Sequence, residues 1–294
     1  MYGGAHQSAT SSKTRAQCAT LHRKGKGFFV PEIGYKLTLM CTIVILRRPE
    51  HSWPLILGAN RDESQGRPWL PPARHWPDRD NVVAGLDELG GGTWLGVNDY
   101  GVVAAVLNRP GTLGPAPDKR SRGELPLEAL DHAEASVAAE ALSHLDPAAY
   151  RPFNMMIADT RDAYWIAARE GENRIHVEAL PEGVSMLTAH DLNDDVGSER
   201  QRHHRPKFAA APSPDPDSGN WDAWQTLLEN PESAPDAGQE SAMLIEMGNG
   251  FGTTSSSLIA LPRPRTEPGN PAISAIWRFR GDMVGEAAWQ TVTF

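Results

Sequence analysis

Cys41 is the residue whose type and position could most directly do chemistry. It follows Met40 and precedes a β-branched run in "MCTIVIL", as the second residue of a chain would. If Met40 starts the chain and is removed, Cys41 carries a free α-amine with a reference pKa of about 7.7–8.0, beside a thiol of about 8.5. The amine can accept the thiol proton, which is the arrangement of an N-terminal nucleophile. If Met40 remains, the nitrogen of Cys41 is an amide and cannot act as a base. The alternative interpretation is that Cys41 is an ordinary buried cysteine.

A polar tetrad follows the second strand-like run, "PLILGAN", and consists of Asn60, Arg61, Asp62 and Glu63. The intervening "RRPEHSW" contains Pro49 and several charges and is followed directly by Pro54, which predicts a hairpin connection. With the reversal centred near Glu50, antiparallel pairing would place Cys41 opposite Ala59 or Asn60. The sequence therefore predicts that the thiol and the tetrad share one end of a hairpin.

The elements that must position these residues are strands and a few helices. Strand-like runs at 93–97 and 102–108 flank a turn at 98–101, and pairing across that turn would direct Asn108 toward Gly90, Gly91 and Gly92. From Ser121 to Leu145 the apolar spacing predicts one amphipathic helix, with Ser121 and Glu124 at capping-box spacing. Four strands at meander-like spacing, two helical pieces near 201–209 and 221–228, and further strands at the end predict an α+β layered fold.

Composition separates the first 39 residues from the rest. The chain of 294 residues has a net charge of −9, but residues 1–39 carry six basic residues and one acidic residue. The acidic remainder argues against nucleic-acid binding. We interpret residues 1–39 as a disordered or foreign extension and residues 40–294 as a single domain. The extension could be a start assigned too early, a removable propeptide or targeting segment, or an ordered addition.

Other patterns set limits on location and metal content. No run of about 18 apolar residues exists, so no membrane insertion is expected. The two cysteines form no disulfide framework, and a cytoplasmic location is expected. His190, His203 and His204 lie near acidic residues but lack the spacing of metal ligands, and "ERQRHHRPKF" is interpreted as a solvated helix face. We predict no metal site.

Several motifs occur in order from residue 40 to the carboxyl terminus: "MCTIVIL", "GANRDES", "GGGTWLGVNDYGVVAAVLNR", "SRGELPLEAL" and "GFGTTSSSLIAL". Together they resemble the Asn-Arg-Asp-Glu (NRDE) family, which includes the transport and Golgi organisation 2 proteins. The resemblance implies the four-layer αββα sandwich of the N-terminal nucleophile hydrolases. It also implies similarity to conjugated bile acid hydrolases and penicillin V acylases, which cleave linear amides without a cofactor.

The resemblance assigns roles to matching positions. Cys41 would be the nucleophile, Asp62 would orient its amine, and Asn108 would donate to the oxyanion. Arg61 would take the place of an arginine that the amidases carry where this chain has Ala59. The chain also departs from the amidases at a second asparagine, which is replaced here by Ala189-His190, and at "GTR", which reads Gly252-Thr253-Thr254. We expect Asn60, Glu63, Trp94 and His190 to border the substrate.

Two classes of function remain open. The first is a cysteine amidohydrolase that acts on the C–N bond of a small metabolite. The second is a non-catalytic protein that handles haem or an acyl conjugate, because members of the family have been linked to haem movement and lipid homeostasis. Fold alone does not decide between them.

Overall fold

The computed structural model describes Met1 and residues 41–263, 275–281 and 287–294. All of these except Met1 belong to one compact unit, Lys36–Phe294. The predicted extension over residues 1–39 lies outside the described residues, apart from Met1.

Within these ranges the chain forms thirteen strands and four α-helices. The strands are β1 Thr42–Arg47, β2 Leu55–Ser64, β3 Trp69–Ala73, β4 Val82–Asp87, β5 Leu95–Asn98, β6 Val103–Asn108, β7 Phe153–Ala158, β8 Ala163–Ala168, β9 His176–Ala179, β10 Gly183–Leu187, β11 Phe251–Leu261, β12 Ile276–Gly281 and β13 Gln290–Thr291. The helices are α1 Glu124–Leu130, α2 Ala135–Ser143, α3 Glu199–Ala210 and α4 Asp222–Leu228.

The strands form two antiparallel sheets. Sheet 1 has the order β10-β1-β2-β11-β12-β13, and sheet 2 has the order β3-β4-β5-β6-β7-β8-β9. One apolar core lies between the sheets, a second joins sheet 2 to α1 and α2, and a third joins sheet 1 to α3 and α4. The layer order is therefore αββα, which confirms the predicted fold class.

The pleat of β2 explains how its side chains are distributed. Leu55, Leu57 and Ala59 pack in the core between the sheets. Ile56 faces the helical layer, and at Gly58 an added Cβ would lie 3.3 Å from the Trp224 ring of α4. Because side chains alternate along a strand, the tetrad that follows is divided between the same two faces.

The predicted hairpin is present, but its predicted register is wrong by about one residue. Asn60 pairs with Thr42, and Ala59 pairs with Ile43, because the reversal is centred on His51 rather than Glu50. Cys41 therefore lies one position beyond the Asn60 pair, beside Arg61 and Asp62.

The predicted single helix after Ser121 is wrong, because the segment forms two helices, α1 and α2. The Asn98 amide donates to the carbonyls of Leu130 and His132, at 2.8 and 2.7 Å, where α1 ends. The Asp159 carboxylate accepts from the backbone N–H of Ala135, at 2.9 Å, where α2 begins. These distant side chains satisfy backbone groups that a continuous helix would satisfy internally.

Two further details differ from the sequence pattern. Gly123 is the N-cap residue of α1 and makes no side-chain cap bond, so the predicted capping box does not form. The strand meander ends at β9, since β10 leaves sheet 2 and pairs with β1 in sheet 1. Among the described helices, none has the length and apolar character needed to span a membrane.

Candidate active site around Cys41

Cys41 lies at the start of β1 on the side that faces sheet 2. It packs at the margin of the core between the sheets, next to a cleft bordered by Ala59, Arg61, Trp94 and Leu107. The cleft has about 20 Å³ of space for the centres of water-sized molecules, which is room for about one water. Within the described chain, the thiol makes one hydrogen-bond contact, with the Asp62 carbonyl oxygen 3.7 Å from Sγ.

The surroundings of Cys41 favour the neutral thiol. Burial raises the pKa of Cys41 to about 12, and the nearby charge of Asp62 acts in the same direction. The charge of Arg61 partly opposes this shift. Since Met40 is joined to Cys41 in this chain, no α-amine is present to take the proton. The thiol is therefore protonated at neutral pH in the unprocessed chain.

Asp62 is held on the opposite face of β2, in the helical layer. Its Oδ2 accepts from Nη1 of Arg200 at 2.9 Å, and its Oδ1 accepts from the Thr253 hydroxyl at 2.7 Å. Arg200 also donates to the Thr42 hydroxyl at 2.6 Å and to the Glu240 carbonyl at 2.6 Å. Burial raises the pKa of the Asp62 carboxyl, while Arg200 and Thr253 act to lower it. This network ties α3 to β1, β2 and β11 directly behind Cys41.

Arg200 was missed by the sequence analysis, and the interpretation of its helix as a solvated face was wrong. Arg200, Gln201, His204 and Phe208 are all buried. Burial lowers the pKa of His204 to about 3, so the ring is neutral, and its Nε2 lies 3.1 Å from the Ser241 carbonyl oxygen. The signal that could have found this face is the spacing of Arg200, His204 and Phe208 at every fourth residue. No cluster of three metal-binding side chains occurs among the described residues.

Asn60 also faces the helical layer, and its hydrogen-bonding groups are occupied. Its amide donates to the carbonyls of Leu228 and Met243, at 2.8 Å each, and its Oδ1 accepts from the Ser256 hydroxyl at 2.6 Å. Asn60 is 2% exposed. These bonds hold the end of α4 and the chain near Met243 against sheet 1, so the side chain serves the fold.

Arg61 faces the cleft and links the two sheets. Its guanidinium lies 4.5 Å from the centroid of the Trp94 ring and donates to Asp87 at 3.3 Å and to Thr254 at 3.2 Å. Glu63 lies on the same face, 3.7 Å from Arg61. Trp94 requires Gly85 beneath it, since a Cβ at Gly85 would lie 2.3 Å from the ring. Arg61 and Trp94 thus form one wall of the cleft.

Asn108 lies at the end of β6, next to the cleft residue Leu107. It pairs with Phe153, whose side chain packs against the helical layer of sheet 2. Directly paired residues of an antiparallel sheet share a face, so the Asn108 side chain leaves the strand toward that layer. Asn154, the partner of Leu107, faces the other sheet instead, where its amide donates to the carbonyls of Thr188 and His190.

His190 lies in the loop after β10 with a half-buried ring. Its Nδ1 is 3.9 Å from Asp194, and burial lowers the pKa of the ring. The next residue, Asp191, pairs with Arg109 at 2.7 Å and with Arg169 at 2.9 Å. The structure therefore places His190 in a charged loop rather than among the residues that line the Cys41 cleft.

Comparison with known proteins gives a family match over most of the chain. The family model described as "Transport and Golgi organisation 2" matches residues 40–265. The Transport and Golgi organization 2 homolog of Mus musculus is 36% identical over 129 residues, which cover 41% of this chain and 45% of the relative. The Homo sapiens homolog is 36% identical over 138 residues, covering 42% and 47%. The matched part thus spans about half the length of these curated relatives.

Two solved structures are also similar. One is an N-acylethanolamine-hydrolyzing acid amidase ortholog from Caenorhabditis elegans, with a TM-score of 0.49, 15% identity, and coverage of 74% of this chain and 92% of that chain. The other is a mutant form of conjugated bile acid hydrolase from Clostridium perfringens, with a TM-score of 0.44, 12% identity, and coverage of 86% and 97%.

Proposed function

This chain belongs to the Transport and Golgi organisation 2 family, and we propose that it is a cysteine hydrolase that cleaves an amide bond of a small metabolite once Cys41 becomes the first residue. The observation that carries the proposal is the position of Cys41. Its thiol borders a cleft between two sheets, and the buried network of Asp62, Arg200 and Thr253 lies on the other face of β2.

We also propose a cytoplasmic location, which rests on the amino-acid composition alone.

The proposed reaction uses the free amine that processing would create. The α-amine of Cys41 takes the thiol proton, and Sγ bonds to the amide carbonyl carbon. The C–N bond then breaks, and the leaving amine takes the proton from the α-ammonium group. Water hydrolyses the thioester, which gives a carboxylic acid and restores the thiol.

The other residues have supporting roles in this proposal. Asp62 would orient the terminal amine, and Arg200 would keep that carboxylate ionised and fixed. Arg61 would supply positive charge beside the thiolate. Asn108 is proposed as an oxyanion donor from the end of β6, where its side chain would have to turn toward the cleft. Such a donor contributes about 3 kcal/mol in enzymes where it has been measured.

The experiment is covalent trapping in a chain whose first residue is Cys41, produced by protease cleavage of a fusion protein. We expect a stoichiometric adduct with a β-lactam, observed by intact-mass spectrometry, together with turnover of N-acyl amides. Cys41→Ser should abolish both. Absence of any adduct at Cys41 in the correctly cleaved, folded chain would overturn the proposal.

We also propose a second function for the unprocessed chain, in which the raised pKa of Cys41 makes the thiol a poor nucleophile. In this function the protein binds an acyl conjugate or haem and carries out no reaction. The cleft has room for about one water, so either ligand, like the amide substrate of the first function, would have to open the cleft or bind outside it. Saturable binding of an acyl-CoA or haem that persists in Cys41→Ala would support this function, and absence of saturable binding of both would exclude it.

A further inference from the structure

Arg122 is a half-buried arginine in the turn before α1, and its hydrogen bonds to the described residues all go to uncharged oxygens. Its Nη1 donates to the Thr112 hydroxyl at 2.9 Å and to the Pro152 carbonyl at 3.0 Å. Its Nη2 donates to the Thr112 carbonyl at 2.9 Å. These contacts fix the plane of the guanidinium but do not neutralise its charge.

Four other arginines at this end of the sandwich have carboxylate partners, whereas Arg151, like Arg122, donates to carbonyl oxygens. Arg61 and Arg67 share Asp87, and Arg109 and Arg169 share Asp191. Within the described ranges, no carboxylate lies within 4.0 Å of the Arg122 guanidinium. A buried or half-buried arginine without a counter-ion is unusual, because a charge is costly to remove from water unless it is paired.

The backbone places the turn that carries Arg122 beside the segment that leads into the cleft wall, while the cleft itself is lined by other described residues. Gly123 packs so closely against Gly92 that a Cβ added at Gly92 would lie 2.3 Å from the Gly123 carbonyl carbon. Thr93 N–H donates to the Gly123 carbonyl at 2.8 Å, and the next residue, Trp94, lines the cleft. Glycine at position 92 therefore allows the Arg122 turn to lie against the strand that carries the cleft wall.

Electrostatics agree with this placement. Burial lowers the pKa of Arg122 to about 10, and the positive charge of Arg151 adds to the effect. Cys41 and Glu63 act in the opposite direction, so both lie within electrostatic range of this guanidinium. Arg151 itself donates to carbonyl oxygens of Gly111, Leu113 and Gly114. Arg122 remains protonated at neutral pH, and an anion at this place would relieve the repulsion from Arg151.

We propose that Arg122 binds an anionic oxygen group, a carboxylate or a phosphate, on the small molecule that occupies the Cys41 cleft. The planar guanidinium suits two-oxygen recognition of either group. The proposal deepens the proposed hydrolase function, on which it rests for the reaction itself, by assigning an anionic substrate class. Arg122 would then set specificity, while Cys41 carries the chemistry.

The test compares two alkylating reagents that differ in one charged group. Iodoacetate and iodoacetamide both attach to the same thiolate with loss of iodide, so the ratio of their rates cancels the thiol pKa. The full-length chain is alkylated at pH 9, and peptide mass spectrometry separates Cys41 from Cys18. We expect Arg122→Gln to lower the iodoacetate-to-iodoacetamide ratio at Cys41 by roughly five- to tenfold, with the iodoacetamide rate unchanged within about twofold.

Arg79→Gln is the matched control, because it removes the same charge at a residue that pairs with Asp131 beyond the end of α1. Arg79→Gln should leave the ratio unchanged. Arg122→Lys keeps the charge but not the planar two-oxygen geometry, so it should recover the ratio only in part. An unchanged ratio in folded Arg122→Gln would overturn the proposal. An equal loss of both rates would mean that Arg122 acts only on structure or on the thiol, and would also overturn it.

A second measurement needs no variant. Acetate and inorganic phosphate are compared with chloride, at equal ionic strength, as protectants of Cys41 against iodoacetamide in the wild-type chain. Protection by acetate supports a carboxylate group, and protection by phosphate supports a phosphate group. Protection by neither anion would overturn the proposal. Because these assays require no amide turnover, their outcome is independent of whether the hydrolase proposal fails.

Discussion

Within the tetrad of Asn60, Arg61, Asp62 and Glu63, alternate side chains leave β2 on opposite faces. Asn60 and Asp62 bind the helical layer, whereas Arg61 and Glu63 face the cleft and sheet 2. Adjacent residues therefore have different roles. Asn60 and Asp62 bind the helical layer on the face of β2 away from the cleft, and Arg61 and Glu63 place charged groups on the cleft face. Asp62 on one face and Arg61 and Glu63 on the other all act on the pKa of the Cys41 thiol, so substitutions on either face should change that pKa.

Removing the Arg200 charge should destabilise the protein strongly. Both Arg200 and Asp62 have fully buried side chains, and Arg200→Met would leave the Asp62 carboxylate without a cation. We expect the free energy of unfolding to fall by about 3–5 kcal/mol, measured by urea denaturation. Arg202→Met is the control on the same helix, since Arg202 is exposed and should change stability by no more than about 0.5 kcal/mol. Equal effects of the two substitutions would contradict the assigned role of the ion pair.

The pH dependence of Cys41 alkylation tests its electrostatic surroundings. In the full-length chain the pKa is raised to about 12, so the reactive thiolate is a small fraction that increases about tenfold per pH unit below that value. In a Cys18→Ser background, the iodoacetamide rate should rise through pH 10 without a plateau. Glutathione, measured alongside, should level off near its ordinary thiol pKa. A plateau for Cys41 below pH 9 would contradict the proposed effect of burial and Asp62.

At the scale of elements, local patterns were sufficient to predict most strands. The runs that became β1, β2, β7 and β8 are apolar and β-branched or aromatic, and the turn at 98–101 has the residues that such turns require. The predicted cluster at the end of the β1–β2 hairpin also follows from local geometry. The predicted roles of Cys41, Asp62 and Asn108 remain predictions.

The features that sequence reasoning missed depend on contacts between distant residues. Arg200 and Asp62 are 138 positions apart, and nothing in the charged composition of α3 indicates which of its arginines is buried. The break between α1 and α2 is likewise fixed by Asn98 and Asp159, which lie on other elements. The helical spacing of apolar residues continues from α1 into α2, so the sequence pattern alone could not reveal the break between these helices.

Asn98 should therefore be needed for the α1–α2 junction. Besides its bonds to the Leu130 and His132 carbonyls, its Oδ1 accepts from the backbone N–H groups of Tyr100 and Val102. Asn98→Ala would leave buried backbone groups without partners, and we expect a loss of about 2–4 kcal/mol in the free energy of unfolding. Asp99→Ala, in the same turn, removes only an exposed ion pair with Arg74 and should cost about 0–1 kcal/mol. Similar losses in both variants would show that the turn, and not the Asn98 amide, determines stability.

At the scale of the whole molecule, the two sheets provide a stable frame whose proposed chemistry depends on where the chain begins. Buried apolar side chains of both sheets form the core between them, and Cys41 and its cleft lie at the margin of this core. A change immediately before Cys41 should therefore alter activity without altering stability. Stability depends on the apolar cores, whereas the proposed reaction depends on a free amine at Cys41.

A single added residue tests this separation. A chain with one glycine before Cys41 has the same cores and the same thiol, but its Cys41 nitrogen is an amide that cannot accept a proton. Relative to the chain that begins at Cys41, we expect amide hydrolysis to fall by about 10²–10⁴-fold, the usual contribution of a positioned base. The thermal unfolding midpoint should change by less than about 2 °C, because one added glycine leaves the side chains of the three cores unchanged. Retention of full activity in the glycine-extended chain would show that the base is another group, and its search would then begin with the side chains that face the cleft.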